Sequence, residues 1–293
     1  MSVSNFRGTG VALVTPFLQS GAIDFASLGK LIDHVISNGV NYIVSLGTTG
    51  ETPTLTAAER LDVLNYTLTH VDGRVPVVGG IGGNNTAEVL ETFEKYPMDK
   101  LAGVLSVVPY YNKPSQEGIY QHYKAIATVS SKPIILYNVP GRTGINMLPA
   151  TTLRLANEFS NIVAIKEACG NIPQSMELVA NKPEHFTIVS GDDDLTLSQI
   201  ACGFDGVISV AANCYTKDFT SMVNAALAGD FVTARSLHYK LLNGIGLLFA
   251  EGNPAGVKCV LSEMHICENT FRLPVVPVSE GLHSKIKDFM NTL

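Results

Sequence analysis

Ile162-Val163-Ala164-Ile165-Lys166-Glu167-Ala168 is a short apolar run interrupted near its end by a lysine. Near-continuous apolar runs of this kind are typical of strands in parallel sheets, which are buried on both faces. Taking an ammonium into such a strand costs several kcal/mol of effective desolvation, so Lys166 needs a physical reason to be there. Two readings meet that need. A lysine near a strand end can pack its stem and keep its head in water. Alternatively, desolvation favours a neutral amine, and a neutral amine is a nucleophile toward carbonyl carbon, which is the chemistry of a Schiff base. The strand taken alone leaves both readings open.

Outward from this run, similar short apolar segments recur at a steady interval, at 10–17, 42–47, 76–81, 103–109, 133–138, 162–168, 186–191 and 206–211. Amphipathic stretches lie between them, for example 57–70, 115–130, 149–159, 173–181 and 194–202. Thr56-Ala57-Ala58-Glu59 has the form of a capping box at a helix start. Eight strand–helix repeats predict an α/β fold of the closed (β/α)8, or TIM, barrel type. An open doubly wound sheet is the alternative. It is disfavoured because the turn after the first strand reads Thr15-Pro16-Phe17 and not G-x-G-x-x-G. A helix at 217–228 completes the barrel, giving a catalytic domain over 1–228. Residues 229–293 carry further helical patterns at 231–249, 254–267 and 279–291, with Pro254 suited to a first helical turn. They are read as a C-terminal helical appendage.

The 293 residues are 46% hydrophobic and 16% charged, enough apolar material for one large barrel core. Mean hydropathy is +0.21, which buried parallel strands explain. No apolar run approaches the ~18–20 residues that span a bilayer, so no membrane partner is expected. The opening Met1-Ser2-Val3-Ser4-Asn5-Phe6-Arg7-Gly8 lacks the basic-then-apolar form of a secretory signal. A net charge of −6 without a basic cluster argues against nucleic acid as partner. Cys169, Cys202, Cys214, Cys259 and Cys267 are odd in number and lack C-x-x-C spacing. They read as reduced thiols in the cytoplasm.

Barrel active sites form at the C-terminal ends of the strands. The residues expected there are Gly47-Thr48-Thr49-Gly50-Glu51, Pro109-Tyr110-Tyr111-Asn112, the run Tyr137-Asn138-Val139-Pro140-Gly141-Arg142-Thr143-Gly144, Lys166-Glu167, Ser190-Gly191-Asp192-Asp193-Asp194 and Ile208-Ser209. Lys132, at the start of its strand, belongs on the opposite face. Gly47-Thr48-Thr49-Gly50 offers amides and hydroxyls to a carboxylate, or is an ordinary tight turn. Tyr137 could relay protons, or be a packed aromatic with a satisfied hydroxyl. Arg142 could hold a carboxylate by two parallel hydrogen bonds, or be a solvated loop charge. Asp192-Asp193-Asp194 invites a metal reading, but acidic residues before a helix more often cap it. The seven histidines fall away from these strand ends, so neither a histidine base nor a zinc site is expected.

Four motifs in order carry a resemblance: Gly47-Thr48-Thr49-Gly50-Glu51, Pro109-Tyr110-Tyr111-Asn112, the 137–144 run and Ile165-Lys166-Glu167-Ala168. Together the chain resembles the dihydrodipicolinate synthase family of pyruvate-dependent class I aldolases, over essentially its whole length. The resemblance implies a Schiff-base-forming lyase. It would condense pyruvate with L-aspartate 4-semialdehyde to 4-hydroxy-tetrahydrodipicolinate, in lysine and diaminopimelate biosynthesis, with no metal and no cofactor. It implies that Lys166 forms the Schiff base, that Tyr137 shuttles protons, and that Thr48 and Tyr111 complete a hydroxyl relay. The tyrosine matching Tyr111 comes from a neighbouring subunit in the family, so a dimer is needed and a homotetramer is expected. Thr49 would hold the pyruvate carboxylate, Gly191 and Ile208 would line the pyruvate pocket, and Arg142 would receive the semialdehyde carboxylate.

Many members also bind lysine as a feedback inhibitor. The positions matching that site are Thr52, Pro53, Ala57, Arg60, Asn84, Glu88 and Tyr110. Asn84, Glu88 and Tyr110 agree with the inhibited pattern. Ala57 and Arg60 stand where inhibited bacterial members commonly carry histidines, and a cationic Arg60 opposes a lysine ammonium unless Glu88 intervenes. These residues leave feedback control open. Two other functions remain. One is a different pyruvate aldolase, such as N-acetylneuraminate lyase or a sugar-acid aldolase, disfavoured by Arg142 and the doubled tyrosine at 110–111. The other is a non-catalytic barrel sensing a keto acid, which would not need a covalent lysine and a proton relay.

Overall fold

The computed structural model describes residues 6–293. Residues 1–5, which hold most of the opening segment read for a signal, lie outside the described residues. Eight parallel strands close into one barrel in sequence order. They are β1 (Gly8–Ala12), β2 (Tyr42–Ser45), β3 (Val77–Gly80), β4 (Gly103–Val107), β5 (Ile134–Asn138), β6 (Ile162–Glu167), β7 (Thr187–Ser190) and β8 (Gly206–Ser209). Each predicted strand is present, and the closed order of a (β/α)8 barrel excludes the open sheet.

The first strand lies earlier than the expected 10–17. β1 starts at Gly8 and ends at Ala12, although Leu13 and Val14 are buried. Leu13 still donates to the Val44 carbonyl, but Thr15 turns its hydroxyl to the Gly50 carbonyl at 2.7 Å and Pro16 has no N–H for a ladder. Phe17 instead makes an isolated antiparallel bridge with Ile23.

The helices ring the barrel: α1 (Phe25–Ser37), α2 (Ala57–Val71), α3 (Thr86–Lys95), α4 (Gln116–Val129), a short α5 (Pro140–Thr143), α6 (Pro149–Glu158), α7 (Ile172–Asn181), α8 (Thr196–Ala201) and α9 (Thr216–Leu227). The predicted capping box is complete, with Thr56 accepting from the Glu59 amide and Glu59 from the Thr56 amide. Three helices follow, α10 (Phe231–Phe249), α11 (Ala255–Glu263) and α12 (Glu280–Met290). Pro254 caps α11 and does not fill its first turn, and the helix stops at Glu263 before the predicted 267.

Two apolar layers result. One fills the barrel, with Ala12, Val44, Val78, Ile135, Ala164, Val189 and Ile208 among its members, floored by Phe6 packed edge-on to Tyr42. Gly10 makes room for that floor, since a methyl there would lie 2.3 Å from the Tyr42 ring. The other layer lies between strands and helices and continues without a break into Leu241, Ile245, Leu248 and Val260 of the appendage. Among the described residues no helix is long and apolar enough to cross a membrane, and all five cysteines are unpaired.

Candidate active site

Alternation along β6 decides where Lys166 points. Ala164 lies in the barrel interior, so Lys166, two residues on, faces the same way, while Ile165 and Glu167 face the helices. Lys166 is 5% exposed, which removes the reading of a lysine snorkelling to water. Its register partner on β5 is Tyr137, and Lys166 Nζ stands 4.5 Å from the centroid of that ring. On the other side, Gly191 follows the last residue of β7. A methyl at Gly191 would lie 3.0 Å from Lys166 Cε and 2.6 Å from Ala168 Cβ, so only glycine fits there without displacement. The Gly191 amide donates to the Glu167 carbonyl at 2.7 Å, tying the strand ends together. Ile208 is fully buried in the same interior.

The predicted Gly47-Thr48-Thr49-Gly50 turn is a single 3-10 turn over Thr48–Gly50. Its first amides, on Thr48 and Thr49, take no bond within the turn and are free to meet an acceptor. The turn is pinned from outside by Thr15 to the Gly50 carbonyl and by Thr52 to the Gly47 carbonyl. Thr48, Tyr137 and Arg142 line a cavity of about 410 Å3 at the C-terminal rim, together with Leu105, Val107, Tyr110 and Asn253. Lys166 is not part of that wall; it lies beside Tyr137, which is. Thr49 is buried behind Thr48, and its hydroxyl accepts from Asn253 Nδ2. Arg142 sits in α5, held by its amide on the Val139 carbonyl, with its side chain exposed on the cavity wall.

Tyr111 is not brought to Thr48 and Tyr137 within one chain. Its ring is 87% exposed, on a backbone at φ 72°, with its amide on the Thr143 carbonyl. The inhibitor-site residues are also only partly assembled. Tyr110 and Arg60 line the cavity. Asn84 is tied to the 109–112 loop through its carbonyl and Asn112 Nδ2, and Glu88 takes Asn85 Nδ2. Among the described ion pairs none joins Glu88 to Arg60, whose Nε donates to the Leu55 carbonyl.

The three aspartates correct an expectation. α8 is capped by Leu195 with no side-chain bond, so none of them caps it. Asp193 is buried and accepts the amides of Val210 and Ala211 at 3.1 and 2.8 Å, closing the turn after β8 instead. Burial pushes the Asp192 carboxyl up to about 6, with Asp194 adding to the rise and Lys166 opposing it. Among the described residues no group of three His, Cys, Asp or Glu side chains could hold a metal.

Two buried carboxylates, Glu167 and Glu51, carry no sequence signal of their role. Glu167, behind Lys166, accepts from Asn138 Nδ2 at 2.9 Å, the Cys169 amide at 3.0 Å and Gln174 Nε2 at 3.3 Å. Burial nevertheless pushes its pKa up to about 7. Glu51, at φ 52°, ends the threonine turn and forms a fully buried ion pair with Lys258 of α11. Both carboxylates stand within the strand-end motifs, but their partners lie up to 221 residues away. Lys132, as expected, is at the opposite face, with Nζ on the Asp99 carbonyl at 3.0 Å.

A closed barrel with a buried lysine against a tyrosine ring, beneath a rim of hydroxyls and arginines, is the architecture of a lysine-centred aldolase barrel. The chain belongs to the dihydrodipicolinate synthetase family, whose family model matches residues 5–293. It is 49% identical over 293 residues to the 4-hydroxy-tetrahydrodipicolinate synthase of Parabacteroides distasonis, covering 100% of this chain and 99% of that one. The crystal structure of dihydrodipicolinate synthase from Aquifex aeolicus superposes with a TM-score of 0.95 at 41% identity, covering 98% of both chains. That of the chloride-inhibited enzyme from Acinetobacter baumannii complexed with pyruvate gives 0.94 at 40% identity, over 97% and 98%.

Proposed function

We propose that this chain condenses pyruvate with L-aspartate 4-semialdehyde through a Schiff base on Lys166, releasing 4-hydroxy-tetrahydrodipicolinate on the lysine and diaminopimelate pathway. The observation that carries the site assignment is the buried Lys166 amine beside the Tyr137 ring at the C-terminal ends of β5 and β6. The Lys166 amine adds to the keto carbon of pyruvate, and loss of water leaves an imine. The imine draws electrons from the adjacent methyl, which gives up a proton and becomes an enamine nucleophile. Tyr137 moves that proton through its phenol, with Thr48 and Tyr111 as further hydroxyls. The enamine carbon bonds the aldehyde carbon of the semialdehyde, whose oxygen takes a proton. The semialdehyde amine then attacks the imine carbon, closes the six-membered ring and frees Lys166.

The free amides of Thr48 and Thr49 and the Thr49 hydroxyl receive the pyruvate carboxylate, and Gly191 and Ile208 shape the pocket around its carbon chain. Arg142, cationic and on the cavity wall, receives the second carboxylate by a bidentate pair. Its presence favours the semialdehyde over a sugar-acid aldehyde. The site is shared by two copies of the chain, since Tyr111 stands in solvent at the rim of one, and dimers pair into tetramers. Asn84, Glu88 and Tyr110 contribute to a lysine-inhibitor site near the same rim, where Arg60 weakens the binding of a cationic effector. The barrel, 1–228, carries the chemistry and 229–293 supports it. Five unpaired cysteines suit a cytoplasmic enzyme.

The test is turnover with pyruvate and aspartate semialdehyde against pyruvate with N-acetylmannosamine or a sugar-acid aldehyde. Condensation with the semialdehyde alone is expected; preference for the sugar substrate would replace this reading by the sugar-aldolase one.

A further inference from the structure

Three polar links run from the C-terminal appendage to a single short stretch of the barrel rim. Asn253 Nδ2 donates to Thr49 Oγ1 at 3.1 Å, across 204 residues of sequence. Lys258, fully buried, pairs with Glu51, bonds the Thr270 carbonyl at 3.0 Å and lies 4.3 Å from the Phe17 ring centroid. Arg272 gives its amide to Glu51 and its guanidinium to Glu59, the Thr54 carbonyl and the Gly21 carbonyl. All three reach residues 49–59, the segment that begins with the threonine turn. A buried ion pair is weak evidence for stability, because desolvation offsets most of the attraction. It does fix position, because displacing one partner leaves the other charge buried and unpaired.

The direction of the Asn253 bond has a chemical consequence. A hydroxyl has one proton and two lone pairs. Because the amide of Asn253 donates, Thr49 Oγ1 is an acceptor in this bond, and its own proton is left for another acceptor. Accepting a hydrogen bond also strengthens the bond a hydroxyl donates. Thr49 is 2% exposed, so water does not compete for that proton.

We propose that Asn253 is a positioning residue for pyruvate: it holds Thr49 as a hydrogen-bond donor to the keto acid's carboxylate, on a turn anchored to the appendage by Glu51 and Lys258. The inference rests on the reading of Thr49 as a carboxylate-binding residue. It makes the appendage part of the substrate site, acting from the side opposite Lys166's strand.

Asn253→Asp tests it with little change of shape. A carboxylate there cannot donate, accepts the Thr49 proton instead and sets a negative charge beside the substrate's. In the full-length protein, KM for pyruvate is expected to rise roughly ten-fold or more, as losing a hydrogen bond to a charged group implies. The value of kcat at saturating pyruvate, KM for the semialdehyde and Tm stay near wild type, which a loss of folding would not allow. Asn253→Ala, which removes the donor without adding charge, gives the same split with a smaller rise. In a double-mutant cycle with Thr49→Val, the Asn253 substitutions add little further, because the effect passes through Thr49. The half-saturating pyruvate concentration for borohydride trapping on Lys166 follows KM. An unchanged half-saturation in both Asn253 variants, with the wild type still trapped, overturns this inference alone. Failure to trap the wild type at any pyruvate concentration overturns the Schiff-base reading with it.

Discussion

Lys166 Nζ stands 4.5 Å from the centre of the Tyr137 ring, its register partner one pair before the C-terminal ends of β5 and β6. The pairing puts an amine and a phenol on one wall of the barrel. Tyr137→Phe keeps the ring and its packing and removes only the hydroxyl. Its kcat is expected to fall about 10²–10⁴-fold, the usual range for loss of a positioned proton-transfer group. Tm should stay within a few degrees of wild type. Steady-state kinetics with thermal unfolding decides it, and near-normal kcat would remove Tyr137 from proton transfer.

Gly191 is a second constraint on the same lysine. Gly191→Ala sets a methyl 3.0 Å from Lys166 Cε and 2.6 Å from Ala168 Cβ. Forcing atoms into a packed site costs typically 1–3 kcal/mol. The lysine stem can yield and Ala168, half-buried just past the end of β6, must shift as well, so activity should suffer more than stability. A large fall in kcat/KM for pyruvate with a small fall in Tm is the expected pattern. The reverse pattern would place Gly191 in the core and not in the pocket.

In the proposed mechanism Arg142 separates the two substrates. It lines the cavity on α5, away from the Lys166 strand. Arg142→Ala should raise KM for the semialdehyde by ten-fold or more, since a bidentate carboxylate pair is a strong charge-assisted contact. Trapping of pyruvate on Lys166 should be unchanged. Equal loss of both would show that Arg142 supports the whole rim and does not select the second substrate.

Glu167 predicts a pH dependence of stability. Burial raises its pKa from an ordinary 4.5 to about 7 in the fold. Between those values the folded chain holds the proton more tightly than the unfolded one. Its contribution is therefore fully present below about pH 4.5 and is lost as pH rises through 7. Glu167→Gln removes the titration. The stability difference between variant and wild type should shift toward the variant by up to about 3 kcal/mol across this window. Urea unfolding at pH 5 and pH 8 measures it. Parallel pH profiles for the two proteins would show that Glu167 is ionised in the fold.

What could be read from the chain follows from the range of the forces involved. Val- and Ile-rich runs such as 162–168 and 133–138 carry the strand signal locally, so eight strands and the rim they define were legible. Lys166 was conspicuous because a charge in such a run is locally anomalous. The end of β1 is not legible because Leu13, Val14 and Phe17 are buried although they lie past its last residue. The acidic run at 192–194 has the local form of a helix cap, yet Asp193 is bonded to amides 17 and 18 residues further on. Glu51 and Lys258 have no sequence signal for each other, since only closure of the barrel brings α11 against the threonine turn. Nor does one chain show what Tyr111 touches, because its ring faces outward.

The central claim is that Lys166 is the amine that captures pyruvate, and borohydride reduction tests it most directly. Protein incubated with pyruvate and reduced should gain one stable adduct per chain. Peptide mass analysis should place it on Lys166, and Lys166→Ala, which stays folded, should gain none. A folded wild-type protein without an adduct, or with the adduct on Lys258 or a surface lysine, would contradict the account.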